Sequence, residues 1–168
     1  MIDLSYLLDK IRVKPHCSVR QAQGLPLVAH GHVLPNDVIE FYNLCGGISL
    51  FDNSAYSMEI VAPDQFVLAN PVIFIGVTED QLRASMNDIS WSWYIVGKGK
   101  NRQFLTIDLA NNRLGRCYDS FWDSHAMPGY SPIIAQSFTE LLLRLYANNG
   151  DHWFWLQPDF HSVGDAYK

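Results

Sequence analysis

Cys117 and His125 carry the best case for chemistry in this chain. A thiol near an imidazole can form a nucleophile, provided the thiolate sits in an electropositive, partly exposed setting. Cys117 instead falls in a segment that reads as a strand beside Asp119, and a negative neighbour opposes ionisation of the thiol. Asp123 and His125 could act as an acid–base pair within Asp119-Ser-Phe-Trp-Asp-Ser-His125, although the same residues suit an ordinary strand-to-helix loop. A small Cys/His enzyme therefore stays open as the weakest of three readings. Six histidines invite a metal site. The closest pair, His30-Gly31-His32, has no neighbouring acid or cysteine, and His16-Cys17 stands at no zinc-finger spacing from it. Gly97-Lys98-Gly99-Lys100 lacks the spacing of a phosphate loop and reads as a hairpin turn. No catalytic, cofactor-binding or metal-ligating residue is assigned, and no cofactor is expected.

The elements that would carry these residues are written in the spacing. Asp3 to Val13 repeats leucine and isoleucine at helical intervals until Pro15. Residues 16–33 read as a loop, with a short strand near Leu27–Ala29. In LPNDVIEFYNLCGG, Pro35 suits the first helical position and Asp37 the first turn. Val38, Phe41, Tyr42 and Cys45 form its apolar stripe, and Gly46 or Gly47 provides a left-handed stop. Ile48–Phe51, Tyr56–Val61, Val72–Val77, the alternating Trp91–Val96, Phe104–Asp108 and Arg113–Asp119 read as strands. Pro63–Ala69 allows one helical turn. Thr78-Glu-Asp-Gln81 and Ser137-Phe-Thr-Glu140 are capping boxes before helices. The second precedes Leu141, Leu142 and Leu145, and Asn148-Asn149-Gly150 closes that helix. The aromatic tail DHWFWLQPDF is expected to pack back on the domain. The order predicts one α+β domain over residues 1–168, with a central, mostly antiparallel sheet flanked by helices.

Composition narrows the function classes. The chain has 168 residues, is 48% apolar and 13% aromatic, and so can bury a core. A net charge of −5 without a basic cluster beyond Lys98, Lys100 and Arg102 argues against nucleic-acid binding. No apolar run approaches the roughly 20 residues of a membrane helix, and MIDLSYLLDKIR does not read as a secretory signal. Three widely spaced cysteines suggest reduced thiols in a cytosol. Trp91 and Trp93 are expected in the core, and Trp122 as an exposed anchor.

LPNDVIEFYNLCGG resembles the Leu-Pro-x-Asp/Glu … Gly-Gly signature of the SUKH superfamily, in its Smi/Knr-like branch. Ile60–Phe66, Leu105-Thr-Ile-Asp-Leu109 with Gly115, and Ile134–Leu142 resemble its later blocks in the same order. The match reaches from about Leu34 to Leu145. It departs at Asn101-Arg102-Gln103, where the family often carries Gly-Asp. The resemblance implies an α+β fold and a binding role without catalytic residues. Bacterial members are commonly immunity proteins that neutralise a cognate toxin domain, often a nuclease or deaminase; eukaryotic relatives include regulatory interaction hubs. The leading expectation is a cytosolic immunity protein that occludes a toxin domain of basic character. The alternative is a regulatory or scaffold module unrelated to toxins. Asp52, Asn53, Asp119, Trp122 and Asp123 are the candidate partner-binding residues.

Overall fold

In the computed structural model, which describes residues 3–168, Asp3 opens the first helix by accepting a hydrogen bond from the Ser5 amide at 2.8 Å. The two residues before it, part of the stretch read as no leader, lie outside the described residues. Helix α1 (Leu4–Val13) buries Leu4, Leu7, Leu8 and Ile11. Helix α2 (Asn36–Leu44) starts one residue later than expected, with Pro35 as its N-cap. Its Asp37 carboxylate accepts from the Thr139 amide at 2.9 Å and hydroxyl at 3.2 Å. One carboxylate thus ties the first turns of α2 and α5 (Phe138–Ala147) together. Ser137 caps α5 by accepting from the Glu140 amide at 3.1 Å. Phe41 of α2 meets Phe138 of α5 edge-on at 4.9 Å.

Seven short strands follow one another through the sheet: β1 (Ser18–Val19), β2 (Ile48–Leu50), β3 (Met58–Ile60), β4 (Trp93–Gly99), β5 (Phe104–Asp108), β6 (Cys117–Asp119) and β7 (Ile133–Ala135). Each is antiparallel to the next. The whole is a single α+β domain. Among the described residues, no helix is long and apolar enough to cross a membrane.

Several local expectations differ from the structure, each for a packing reason. Leu27–Ala29 forms no strand, and β1 forms earlier, opposite Ser49 and Ile48. Val72–Val77 is no strand. Residues 67–69 already occupy the free edge of β4 through Ile95 N to Val67 O and Ala69 N to Trp93 O, both 2.9 Å. With that edge taken, Pro71 starts a helical turn, α3 (Asn70–Ile73), and Val72, Ile75 and Val77 stay exposed. The Thr78 box does start a helix, α4 (Glu79–Ala84). Ile89–Ser92 winds into a 3-10 turn, so the strand begins at Trp93 and Trp91 stays outside the core. Every residue from Trp93 to Val96 is buried because both faces of β4 are covered. Helix α2 ends at Leu44 with Cys45 extended, so the glycine pair is not its left-handed stop. Gly47 (φ +110°) is needed for close approach. A Cβ there would run into the Arg20 guanidinium and sit 2.6 Å from the Ile60 carbonyl oxygen.

Asp108, fully buried at the end of β5, is the polar centre of the fold. Its carboxylate accepts from Ser92 Oγ (2.7 Å), Trp93 Nε1 (3.1 Å), the Ala110 amide (2.9 Å), Arg113 Nε (2.7 Å) and Tyr118 OH (3.0 Å). A buried carboxylate is tolerable only with such a set of donors. Removing it would leave Arg113 and four neutral donors facing an apolar gap. Asp108→Ala is therefore expected to cost about 3–5 kcal/mol, read from the midpoint of denaturant unfolding. A loss below about 1 kcal/mol would show that these donors are satisfied elsewhere.

Candidate functional site

An antiparallel meander sends every second loop to the same end of the sheet. Loops 51–57, 100–103 and 120–132 therefore share one end, although they are far apart in sequence. Side chains stitch them into a continuous rim. Lys100 Nζ donates to the Ser54 carbonyl at 2.6 Å, and the Arg102 guanidinium lies 4.3 Å from the centre of the Trp122 ring. The tail joins from below: Trp153 meets Tyr56 edge-on at 5.3 Å, and Ser54 Oγ donates to the Gly150 carbonyl.

Of the expected partner-binding residues, Asp52, Asn53, Trp122 and Asp123 lie exposed on this rim. Trp122 is 42% exposed with Arg102 covering part of its ring. Asp52 Oδ1 stands 3.5 Å from His16 Nδ1. Asp119 is different: it is only 8% exposed and lies inside the end of β6. Gln103 Nε2 donates to its Oδ1 at 2.6 Å. Burial raises the pKa of its carboxyl, partly offset by Gln103, the nearby Trp155 indole and the Phe121 and Ser120 amides. Trp155 Nε1 falls short of hydrogen-bond geometry although its field favours the carboxylate.

The basic turn between the two acidic loops escaped sequence reasoning as a binding feature. Gly97 and Gly99 belong to β4, and the chain reverses at Lys100–Gln103 instead. Asn101 (φ 56°) and Arg102 (φ 58°) both adopt the left-handed conformation of a tight hairpin turn. Asparagine tolerates that region; arginine holds it at a cost of order 1 kcal/mol or more. Arg102 falls in the Asn101-Arg102-Gln103 stretch, where the sequence departs from the expected pattern, and it puts a strained cation on the rim.

The proposed chemistry is not assembled. Successive strand residues face opposite sides of a sheet. The Cys117 thiol lies 3.9 Å from the Ser137 carbonyl oxygen, beside α5. Tyr118 faces the other way and packs on Trp93, which in turn packs on His125. Burial, with Asp37 and Glu140 adding to it, pushes the Cys117 thiol well above its usual value. Asp119 is not among these causes, contrary to the expectation from sequence. His125 is buried and turns to Asn70 Oδ1 at 3.0 Å, not to Asp123. Asn70 Nδ2 donates to Ser90 Oγ at 3.0 Å, so its Oδ1 must accept from His125 Nε2–H. Among the described residues, no three His, Cys, Asp or Glu side chains gather to hold a metal ion. His32 is engaged with the Tyr94 hydroxyl at 2.9 Å.

Fold and site define a class: a single-sheet α+β protein with a stitched, exposed aromatic rim and no assembled nucleophile–base pair among the described residues. The chain belongs to the SMI1 / KNR4 family (SUKH-1), which matches residues 29–144. It is also similar to the Immunity protein YokJ of Bacillus subtilis (strain 168), with 44% identity over 166 residues, covering 99% of this chain and 96% of that protein. No solved structure matches.

His125 gives this site a pH signature. Burial lowers its pKa from the usual 6.5 to about 4, partly opposed by Asp88, and its buried Nδ1 has no acceptor for a proton. The folded state keeps the ring neutral while the unfolded chain takes up a proton. The associated stability is therefore intact above pH 6.5 and is lost as pH falls through 6.5 towards 4. That lowering corresponds to roughly 3 kcal/mol. His125→Gln is expected to flatten that slope in urea unfolding measured from pH 7 to pH 4. An unchanged slope would place the pH sensitivity elsewhere.

Proposed function

We propose that this protein is an immunity protein that binds a cognate toxin domain through the rim and neutralises it by occlusion, without catalysis. The observation that carries this reading is the similarity to Immunity protein YokJ along nearly the full length of both chains. The rim supplies what occlusion needs: loops held by strand ends, an exposed tryptophan and an arginine fixed over it. Tryptophan and arginine are the side chains that most often dominate binding energy. A preformed surface also avoids the entropic cost of ordering loops on contact.

We place the protein in the cytosol with its three cysteines reduced, and we infer a basic toxin domain of nuclease or deaminase type. The −5 net charge supports a basic partner, because opposite fields speed encounter and orient it. The rim itself carries both signs, with Asp52 and Asp123 beside Lys100 and Arg102, so complementarity there must be matched residue by residue.

Co-expression with the product of the adjacent gene tests this reading. Survival of cells carrying an otherwise toxic product, together with a co-purifying complex, is the expected result. Absence of both would favour the regulatory-module alternative. Within such a complex, Trp122→Ala is expected to weaken binding about 30-fold or more, the effect of losing a hot-spot residue. Arg102→Gly separates binding from stability. It relieves the left-handed arginine and so leaves the thermal midpoint unchanged or higher, while affinity falls. Equal affinity for both variants and wild type would move the interface off the rim.

A further inference from the structure

Behind the rim, between loop 120–132 and the tail, lies a groove of about 450 Å³. Gln103 and Asp119 form its polar floor, and Phe121, Tyr130, Trp153 and Leu156 line it. Tyr130 and Leu156 are more than 60% exposed, an unusual setting for large apolar side chains at a groove mouth. Asp119 and Asp108 differ in their partners. Both are buried carboxylates at strand ends of the same sheet. Asp108 has an arginine and four further donors, whereas no cation of this chain lies within ion-pair distance of Asp119 among the described residues. Arg102 is engaged on Trp122, and Arg144 is held by Glu140 at 2.7 Å. A buried carboxylate without a counter-ion is costly, and a well-placed cation that hydrogen-bonds to it offsets that cost.

We propose that the groove receives an arginine side chain of the partner protein, whose guanidinium pairs with Asp119 while its stem and flat face lie against Trp153, Tyr130 and Leu156. The proposal rests on the reading of this protein as a toxin-binding immunity protein. Arginine fits the chemistry better than lysine. Its planar fork matches a carboxylate, it stacks on aromatic faces, and it loses less on leaving water than an ammonium does. The rim already shows the same pairing at Arg102 and Trp122. Asp119 then has a role other than surface contact: it is the buried end of a socket, and the exposed rim residues surround it.

The test is calorimetric titration of the full chain with the toxin domain that the co-expression experiment identifies, combined with arginine-to-glutamine variants of that domain. Asp119→Asn keeps one acceptor oxygen for Gln103 while removing the charge and turning the second oxygen into an amide donor. It is expected to fold at least as stably as wild type at neutral pH and to bind on the order of a hundredfold more weakly. Leu156→Arg, at an exposed position, places a guanidinium in the groove from within and is expected to block it to a similar extent. One toxin arginine should lose its effect when combined with Asp119→Asn, and the other arginines should not. Wild-type affinity in both variants overturns the socket and leaves the immunity reading standing. Coupling of Asp119 to a lysine, or to no single arginine, overturns the assignment of arginine. Failure of wild type to bind the toxin at all removes the immunity reading, and the socket with it. If Asp119→Asn unfolds at a lower midpoint, Leu156→Arg decides alone.

Discussion

A buried carboxylate needs donors, and Asp108 draws them from three separate parts of the chain. Ser92 ends the 3-10 turn that leads into β4 and Trp93 opens that strand, Ala110 and Arg113 come from the turn after β5, and Tyr118 from β6. Such a shell can close only when the three strands are in one register. A one-residue slip would turn Trp93 and Tyr118 to the wrong face and strand the charge. The Ile-Asp-Leu block at 107–109 is therefore a register lock, and its aspartate is structural. The other family blocks act similarly: Asp37 joins two helices, and Gly47 lets the Arg20 guanidinium reach the Ile60 carbonyl at 2.6 Å.

This lock sits at the end of the sheet opposite the rim. Antiparallel order sends the Asp108 turn one way and loops 51–57, 100–103 and 120–132 the other. The two ends consequently carry different demands. At the locked end, polar side chains are consumed by the fold. At the rim, Trp122, Asp123, Asn53 and Lys100 hold exposed positions that the core does not dictate. A fold built this way can change its rim residues while keeping its register, so a specific partner can be matched without redesign of the core.

Local signals were legible in the sequence, and the signals that failed were those decided by tertiary competition. Asp3, Pro35, Thr78 and Ser137 marked helix starts because capping is settled within a few residues. The apolar Val72–Val77 looked like a strand, but only pairing makes a strand, and residues 67–69 had taken the edge. Asp119 and Asp123 look alike in sequence; strand position buries the first and exposes the second. The union of the Asp52 and Trp122 loops was hidden because it depends on the order of strands. The basic run Lys98–Arg102 bridges them, a clue available only once that run is known to be a turn at the same end.

One end of the sheet is proposed to make the contact, and the other holds the register. Hydrogen–deuterium exchange of this protein, free and bound to whatever toxin domain the co-expression experiment identifies as its partner, measures both ends at once. The account predicts added protection in residues 51–57, 100–103, 120–132 and 153–156, with residues 109–116 unchanged. Protection centred on residues 109–116, with the rim exchanging as in the free protein, would contradict it.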